Sequence, residues 1–159
     1  MPVAPDILES YRRPKAVMAR KLADGVREDR ALATVMGASL INFVAQWPAM
    51  ARAAHFDPGT PLDARLGGAL LASVFMLPLF AYLLAAVSQL VMRLTGRPIN
   101  GFAARMALFW AMLANAPLLL LNGLVAGFLG AGPAQWTVGT LTLAGFLYLW
   151  IMNLRAASV

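Results

Sequence analysis

The sequence predicts an all-α fold: a polytopic transmembrane helical bundle of four spans, preceded by an amphipathic interfacial helix. Of the 159 residues, 60% are hydrophobic and only 13% are charged, whereas soluble domains carry charge on roughly a quarter of their residues. The apolar residues are gathered in four long runs. All seven acidic residues precede Leu66, so more than half of the chain contains no carboxylate and is suited to lipid rather than water.

Each apolar run is long enough to cross a bilayer as a helix. A span needs about 20 helical residues for a hydrocarbon core about 30 Å thick, and lipid offers no hydrogen-bond partner to a non-helical backbone. Pro78 and Pro117 interrupt the second and third runs, so we expect a kink in each. A third run broken at Pro117 leaves a five-span alternative, although it is too short for two full crossings. The predicted spans are about 31–50, 66–92, 106–129 and 136–154.

A basic leader, residues 1–30, precedes the transmembrane domain, residues 31–159. Its helix is expected to begin near Pro14 and to end at Gly25. The apolar side chains recur at helical spacing and the cations lie largely around the other side, so we predict that this helix rests on anionic head groups. The alternative is a solvated leader that only fixes topology. The predicted membrane-surface residues are Val17, Met18, Leu22, Arg20 and Lys21.

The distribution of Lys and Arg predicts the orientation of the spans. With both termini inside, four spans place eleven of the 13 basic residues on the cytoplasmic side, as the positive-inside rule favours. Trp47 and Trp136 then fall at the outer interface, where tryptophan is enriched. The excess of Arg over Lys is typical of a GC-rich bacterial genome. We therefore expect a multi-pass protein of the bacterial inner (cytoplasmic) membrane with cytoplasmic N- and C-termini.

The sequence contains few residues that could carry chemistry. It has no cysteine and one histidine, His55, so a tight zinc or copper site lacks ligands. No ionisable residue lies in the middle of a span, where proton relays and ion-coupled carriers usually place one. No phosphate-binding glycine loop or nucleophile elbow occurs. We therefore predict no catalytic, cofactor-binding or metal site, and a protein that is not an enzyme.

The net charge of +6 predicts anionic lipid as the partner of the basic residues, and not nucleic acid.

Amides and small residues are the main polar and packing features of the spans. Amides at helical spacing can hydrogen-bond to a neighbouring helix, and small-residue stripes allow close helix approach. We therefore predict helix–helix or partner contacts, through internal packing or dimerisation, at Gly123, Gly127, Asn115, Asn122 and Pro117. The alternative is a polar pathway for a small solute, lined by the Asn115 and Asn122 amides together with Asn42 and Gln46.

Three arginines near the predicted inner interface are candidates for a lipid head group. Arg93, Arg97 and Arg105 could bind a phosphate, and an enzyme acting on lipid or isoprenoid would need such a cluster. Setting the topology explains them equally well.

The order of elements resembles the bacterial branch of the Yip family, whose eukaryotic members interact with Ypt and Rab GTPases. The resemblance is carried by the basic leader from Tyr11-Arg12-Arg13-Pro14 to Leu22 and by Ala114-Asn115-Ala116-Pro117-Leu118-Leu119 in the third run. The Asp-Leu-Tyr-Gly-Pro motif of the eukaryotic members is absent, so GTPase binding is not carried over. The resemblance implies a small integral membrane protein, usually with five spans, that acts through partners.

These observations favour a structural or interaction role, as an adaptor or accessory subunit of a membrane assembly. Its expected partners are the lipid bilayer and other membrane proteins, or a second copy of itself. A small channel or facilitator lined by the amides is the alternative, and an enzyme that binds lipid head groups is a third hypothesis.

Overall fold

The computed structural model describes residues 3–158 and shows seven helices joined by short turns, with no strand in that range. The predicted all-α class is therefore confirmed. The helices are α1 (Val3–Arg12), α2 (Pro14–Ala23), α3 (Glu28–Phe56), α4 (Leu62–Leu94), α5 (Gly101–Ala114), α6 (Ala116–Phe128) and α7 (Pro133–Ala157).

Helix α4 contains a π-helical turn just before Pro78, where the sequence predicted a kink. Proline has no amide hydrogen and its ring crowds the carbonyl four residues earlier. The chain responds with a π-helical turn at Ala72–Met76, in which the Leu77 amide donates to the Ala72 carbonyl. Such turns insert one extra residue without ending the helix, so α4 remains one continuous element.

The third apolar run is divided into α5 and α6 by a 45° bend at Asn115. The sequence placed the break at Pro117, whereas the structure places Pro117 in the first turn of α6, a position that suits proline. The two halves have 14 and 13 residues, and neither is long enough to cross a bilayer alone. Together they form one bent element.

Among residues 3–158, two helices are long and apolar enough to cross a membrane, Leu62–Leu94 and Pro133–Ala157. The bent pair Gly101–Ala114 and Ala116–Phe128 is a third if it counts as one span. Helix α3 has 29 residues, but Asn42, Gln46 and Pro48 lower its hydropathy and it is not among these candidates. Two or three candidate spans are therefore present, as expected of a membrane protein, and four are not confirmed.

The helices form a bundle with two different ends. At the end near Glu28 and Gly101, here called the α5 end, α5 packs against α1, α2, α3, α4 and α7, and most of its side chains are buried. At the opposite end, called the α6 end, α6 packs between α3 and α7. A helix that is hydrophobic all round belongs in a core, and α5 takes that place.

The first two helices form a hairpin, residues 3–23, that packs along the α5 end. Val17 and Met18 are 1% and 0% exposed and belong to the main hydrophobic cluster with Phe109 and Trp110. Leu22 packs against the same cluster. The predicted lipid-facing stripe of Val17, Met18 and Leu22 is therefore wrong in its direction, because α5 and α7 cover it.

Candidate functional site

The hairpin is attached to α5 by two long-range hydrogen bonds. The Trp110 indole Nε1 donates to Ser10 Oγ over 2.9 Å, and the Tyr11 hydroxyl donates to the Ala114 carbonyl over 2.9 Å. Ala114 ends α5, where the last carbonyls lack partners within the helix. The tyrosine therefore satisfies a helix end beside the bend, and the hairpin and the bend form one unit.

A charged cluster lies beside these bonds. Lys21 Nζ is 3.1 Å from Asp6 Oδ2 and 3.5 Å from the centre of the Trp110 ring. Arg20 reaches Asp6 at 2.9 Å and Glu9 at 2.6 Å. Arg20 and Lys21 were both predicted to lie at the membrane surface. Both instead form ion pairs within the hairpin, and these pairs join α2 to α1.

The pKa of Asp6 makes this cluster sensitive to acid. Burial alone would raise that pKa, but hydrogen bonds and charges from Lys21 and Arg20 outweigh burial and hold it below its usual 3.8. A carboxylate with a lowered folded-state pKa contributes stability above its unfolded-state pKa, and this contribution is lost as the pH falls through the folded-state value.

We therefore expect α1 to loosen from the bundle below about pH 4. Limited proteolysis of the first 25 residues, measured between pH 7 and pH 3, should show faster cleavage only at the acid end. The variant Asp6→Asn should be cleaved faster at pH 7 and should respond less to acid. A wild-type cleavage rate that does not change over this range would contradict the assignment.

The three predicted head-group arginines do not form one site. Arg105 pairs with Glu28, with Nε 3.1 Å from Oε2, and so joins α5 to the start of α3. Arg93 and Arg97 are exposed near the end of α4, and neither takes part in an ion pair within residues 3–158.

The Gly123 and Gly127 stripe is used inside the chain. A Cβ atom on Gly123 would lie 2.8 Å from the carbonyl carbon of Ala45, and one on Gly127 would lie 2.8 Å from that of Pro48. Both distances are shorter than real Cβ contacts, so only glycine allows α6 to approach α3 this closely. The sequence left internal packing and dimerisation open for this stripe. In the structure the stripe packs against α3 of the same chain.

Arg52 was not singled out from the sequence, although it lies in this same interface. Its guanidinium donates to the carbonyls of Gly127 and Phe128 at 3.4 and 3.3 Å, at the end of α6 where carbonyls lack helical partners. The sequence gives no signal for this contact, because Arg52 in α3 and its acceptors at the end of α6 are far apart in the chain.

The amides of α3 bind the π-helical turn of α4. Asn42 Nδ2 and Gln46 Nε2 both donate to Ser73 Oγ, each at 3.1 Å. Ser73 is 1% exposed, so these bonds hold the distorted turn against α3.

Another pair of amides binds α7 to the bent element. Asn115 Nδ2 donates to the Thr142 carbonyl at 3.1 Å, and Asn153 Nδ2 donates to the Ala107 carbonyl at 3.1 Å. Thr142 Oγ1 shares its single hydrogen between the Val138 carbonyl of α7 at 2.8 Å and the Leu118 carbonyl of α6 at 3.1 Å. The predicted role of Asn115 in helix–helix contact agrees with this geometry.

Asn122, unlike Asn42, Gln46 and Asn115, lacks a protein partner among the described residues. Its side chain makes no hydrogen bond among the described residues, and its Oδ1 is buried without a partner. That oxygen faces Gly139 of α7, since a Cβ built there would lie 3.6 Å from it. Within residues 3–158, the Oδ1 atoms of Asn115 and Asn153 are also buried without a partner, but both of those amides donate through Nδ2. Asn122 differs because it makes no bond to a described residue through either end, and an unpaired amide in an apolar setting costs free energy.

A groove of about 380 Å³ lies between α4 and α7. Its sides are formed by Phe80 and Leu84 of α4 and by Leu143 and Phe146 of α7, and its floor includes the bend at Asn115. Asn42 and Asn122 also line it. The two long apolar helices do not pack closely against each other, which leaves the groove open at the side.

Comparisons with protein-family models, with curated proteins and with solved structures find no match to this chain. The Yip resemblance therefore stays a prediction. Within residues 3–158, no group of three or more histidine, aspartate or glutamate side chains is placed to hold a metal ion. The fold and the contacts define an all-helical chain with two or three candidate spans and a docked amino-terminal hairpin.

Proposed function

We propose that this chain is a bacterial inner-membrane adaptor or accessory subunit, and that both of its termini are cytoplasmic. We propose that it crosses the bilayer four times, through α3, α4, the bent pair of α5 and α6, and α7. The eleven-to-two distribution of basic residues supports the orientation. Helix α3 lies alongside α6 and α4, so it crosses with them if the bundle as a whole is embedded. The Yip resemblance is consistent with a role through partners.

The apolar face of α4 is the observation that carries the interaction role. Large exposed hydrophobic side chains follow one another from Leu70 to Leu94, over about 36 Å of helix. An average tilt of about 20° leaves about 34 Å along the bilayer normal, compared with a hydrocarbon core of about 30 Å. The face is therefore about 4 Å longer than the hydrocarbon core is thick, and we place the excess at Leu94. A partner that covers Leu94 and Leu90, one turn earlier, would remove apolar surface from water.

Site-specific photo-crosslinking in native membranes tests this role. A photoreactive amino acid at Leu90, 55% exposed, should give one discrete protein adduct, whose mass distinguishes a second copy from another membrane protein. The same amino acid at Leu141 of α7, 56% exposed, is the matched control and should give lipid adducts only. Lipid adducts alone from both positions would contradict the proposal.

Passage of a small solute is the second candidate function, because Asn42, Asn115 and Asn122 line one groove. The amide groups of Asn42 and Asn115 already donate to Ser73 and Thr142, which favours helix–helix contact over a polar pathway. Solute flux into proteoliposomes that exceeds that of empty vesicles, and that is lost in Asn122→Leu, would reverse this ranking.

A further inference from the structure

We propose that the groove between α4 and α7 binds a lipid-soluble molecule through one carbonyl oxygen, which accepts a hydrogen bond from the Asn122 amide. This inference rests on the membrane placement in the proposed function, because a ligand of this class reaches the groove from the bilayer.

The hydrogen-bonding capacity of the groove selects the ligand chemistry. Asn122 Oδ1 is buried against α7, which leaves its NH₂ group as the end available to a bound molecule. The neighbouring Asn115 donates to Thr142 through Nδ2, and its Oδ1 is buried beside Gly145, so neither end of that amide is available. An amide NH₂ group is a donor only, so the ligand must supply an acceptor, and no positive side chain lines the groove to favour an anion.

The apolar side chains that line the groove favour a ligand that is apolar apart from its carbonyl group. Phe80, Leu84, Leu143 and Phe146 form the sides, and the volume of about 380 Å³ lies in the range of small-molecule sites. A mostly apolar pocket with one convergent polar group is the usual form of such a site. Two membrane-soluble sources share this chemistry, a quinone with ring carbonyls and an acyl ester.

Native mass spectrometry of the full-length protein in detergent tests the proposal with three probes: decylubiquinone, methyl palmitate and hexadecane. We expect saturable binding of one molecule of a carbonyl probe, and at least tenfold weaker binding of hexadecane. Preference for decylubiquinone over methyl palmitate assigns the quinone source, and the reverse assigns the ester. Equal binding of all three probes, or no saturable binding, would overturn the proposal.

Three variants separate recognition from folding. Asn122→Leu should weaken carbonyl-probe binding about tenfold, the effect of one lost hydrogen bond. The Asn122 side chain makes no hydrogen bond among the described residues, so the substitution breaks none within the protein. Leu143→Trp fills the groove and should abolish binding, whereas Leu90→Trp, at an equally exposed site outside the groove, should bind as the wild type does. Binding unchanged in Asn122→Leu would refute the role of the amide. Because the assay uses purified protein without a partner, its failure is distinct from a failure of the photo-crosslinking experiment.

Discussion

Replacing Trp110 with alanine is expected to lower the free energy of unfolding by about 3 to 5 kcal/mol, the usual cost of deleting a large aromatic side chain from a core. Trp110 is 2% exposed and is among the largest fully buried side chains. It also donates a hydrogen bond to Ser10 and carries the Lys21 ammonium over its ring. The substitution therefore removes packing inside α5 and two attachments of the hairpin.

The measurement is denaturant unfolding in mild detergent, together with the rate of proteolysis within residues 3–23. Trp136→Ala is the matched control: its side chain is 77% exposed, so we expect a change within about 0.5 kcal/mol. Equal effects of the two substitutions would show that Trp110 does not hold the hairpin to α5.

Replacing Gly123 with alanine is expected to destabilise the chain by about 3 kcal/mol, at the upper end of the range for overpacking. The added Cβ overlaps the Ala45 backbone and not a flexible side chain, so α6 must move away from α3. Because Arg52 and Gly127 lie in the same interface, we expect the loss to include the contacts at the end of α6.

Gly68→Ala is the control for the glycine experiment. Gly68 lies in α4, and a Cβ atom there meets nothing within 4 Å, so alanine should be neutral or slightly stabilising through its helix propensity. Melting temperatures of the purified variants give the comparison. A Gly123→Ala protein as stable as Gly68→Ala would contradict the close approach of α6 to α3.

The helical class and the approximate ends of the apolar helices could be predicted from hydropathy alone, because lipid and a helical core both select long apolar runs. The bend was predicted within two residues of its position: Pro117 indicated a break, but the chain divides at Asn115, where a proline two residues later can start a new helix. At Pro78 the sequence predicted a kink, and the structure instead has a π-helical turn at Ala72–Met76.

The sequence could not predict whether lipid or protein covers the apolar stripe of the leader helix. Val17 and Met18 form an apolar stripe that looks the same whether lipid or protein covers it, and only the position of α5 decides between them. The long-range contacts of Tyr11 with Ala114 and of Arg105 with Glu28 could not be predicted from the sequence either. Single residues that are far apart in the chain give no periodic pattern.

The central claim is that the chain crosses the membrane four times and that α3 is one of the spans. The labelling of single cysteines in intact cells and in opened membranes tests this claim most directly. The chain has no cysteine of its own, so the variants Ala23→Cys, Thr60→Cys and Thr95→Cys each report one exposed position. We expect a membrane-impermeant maleimide to label residue 60 in intact cells, and residues 23 and 95 only after the membrane is opened. Labelling of residues 23 and 60 from the same side would show that α3 does not cross.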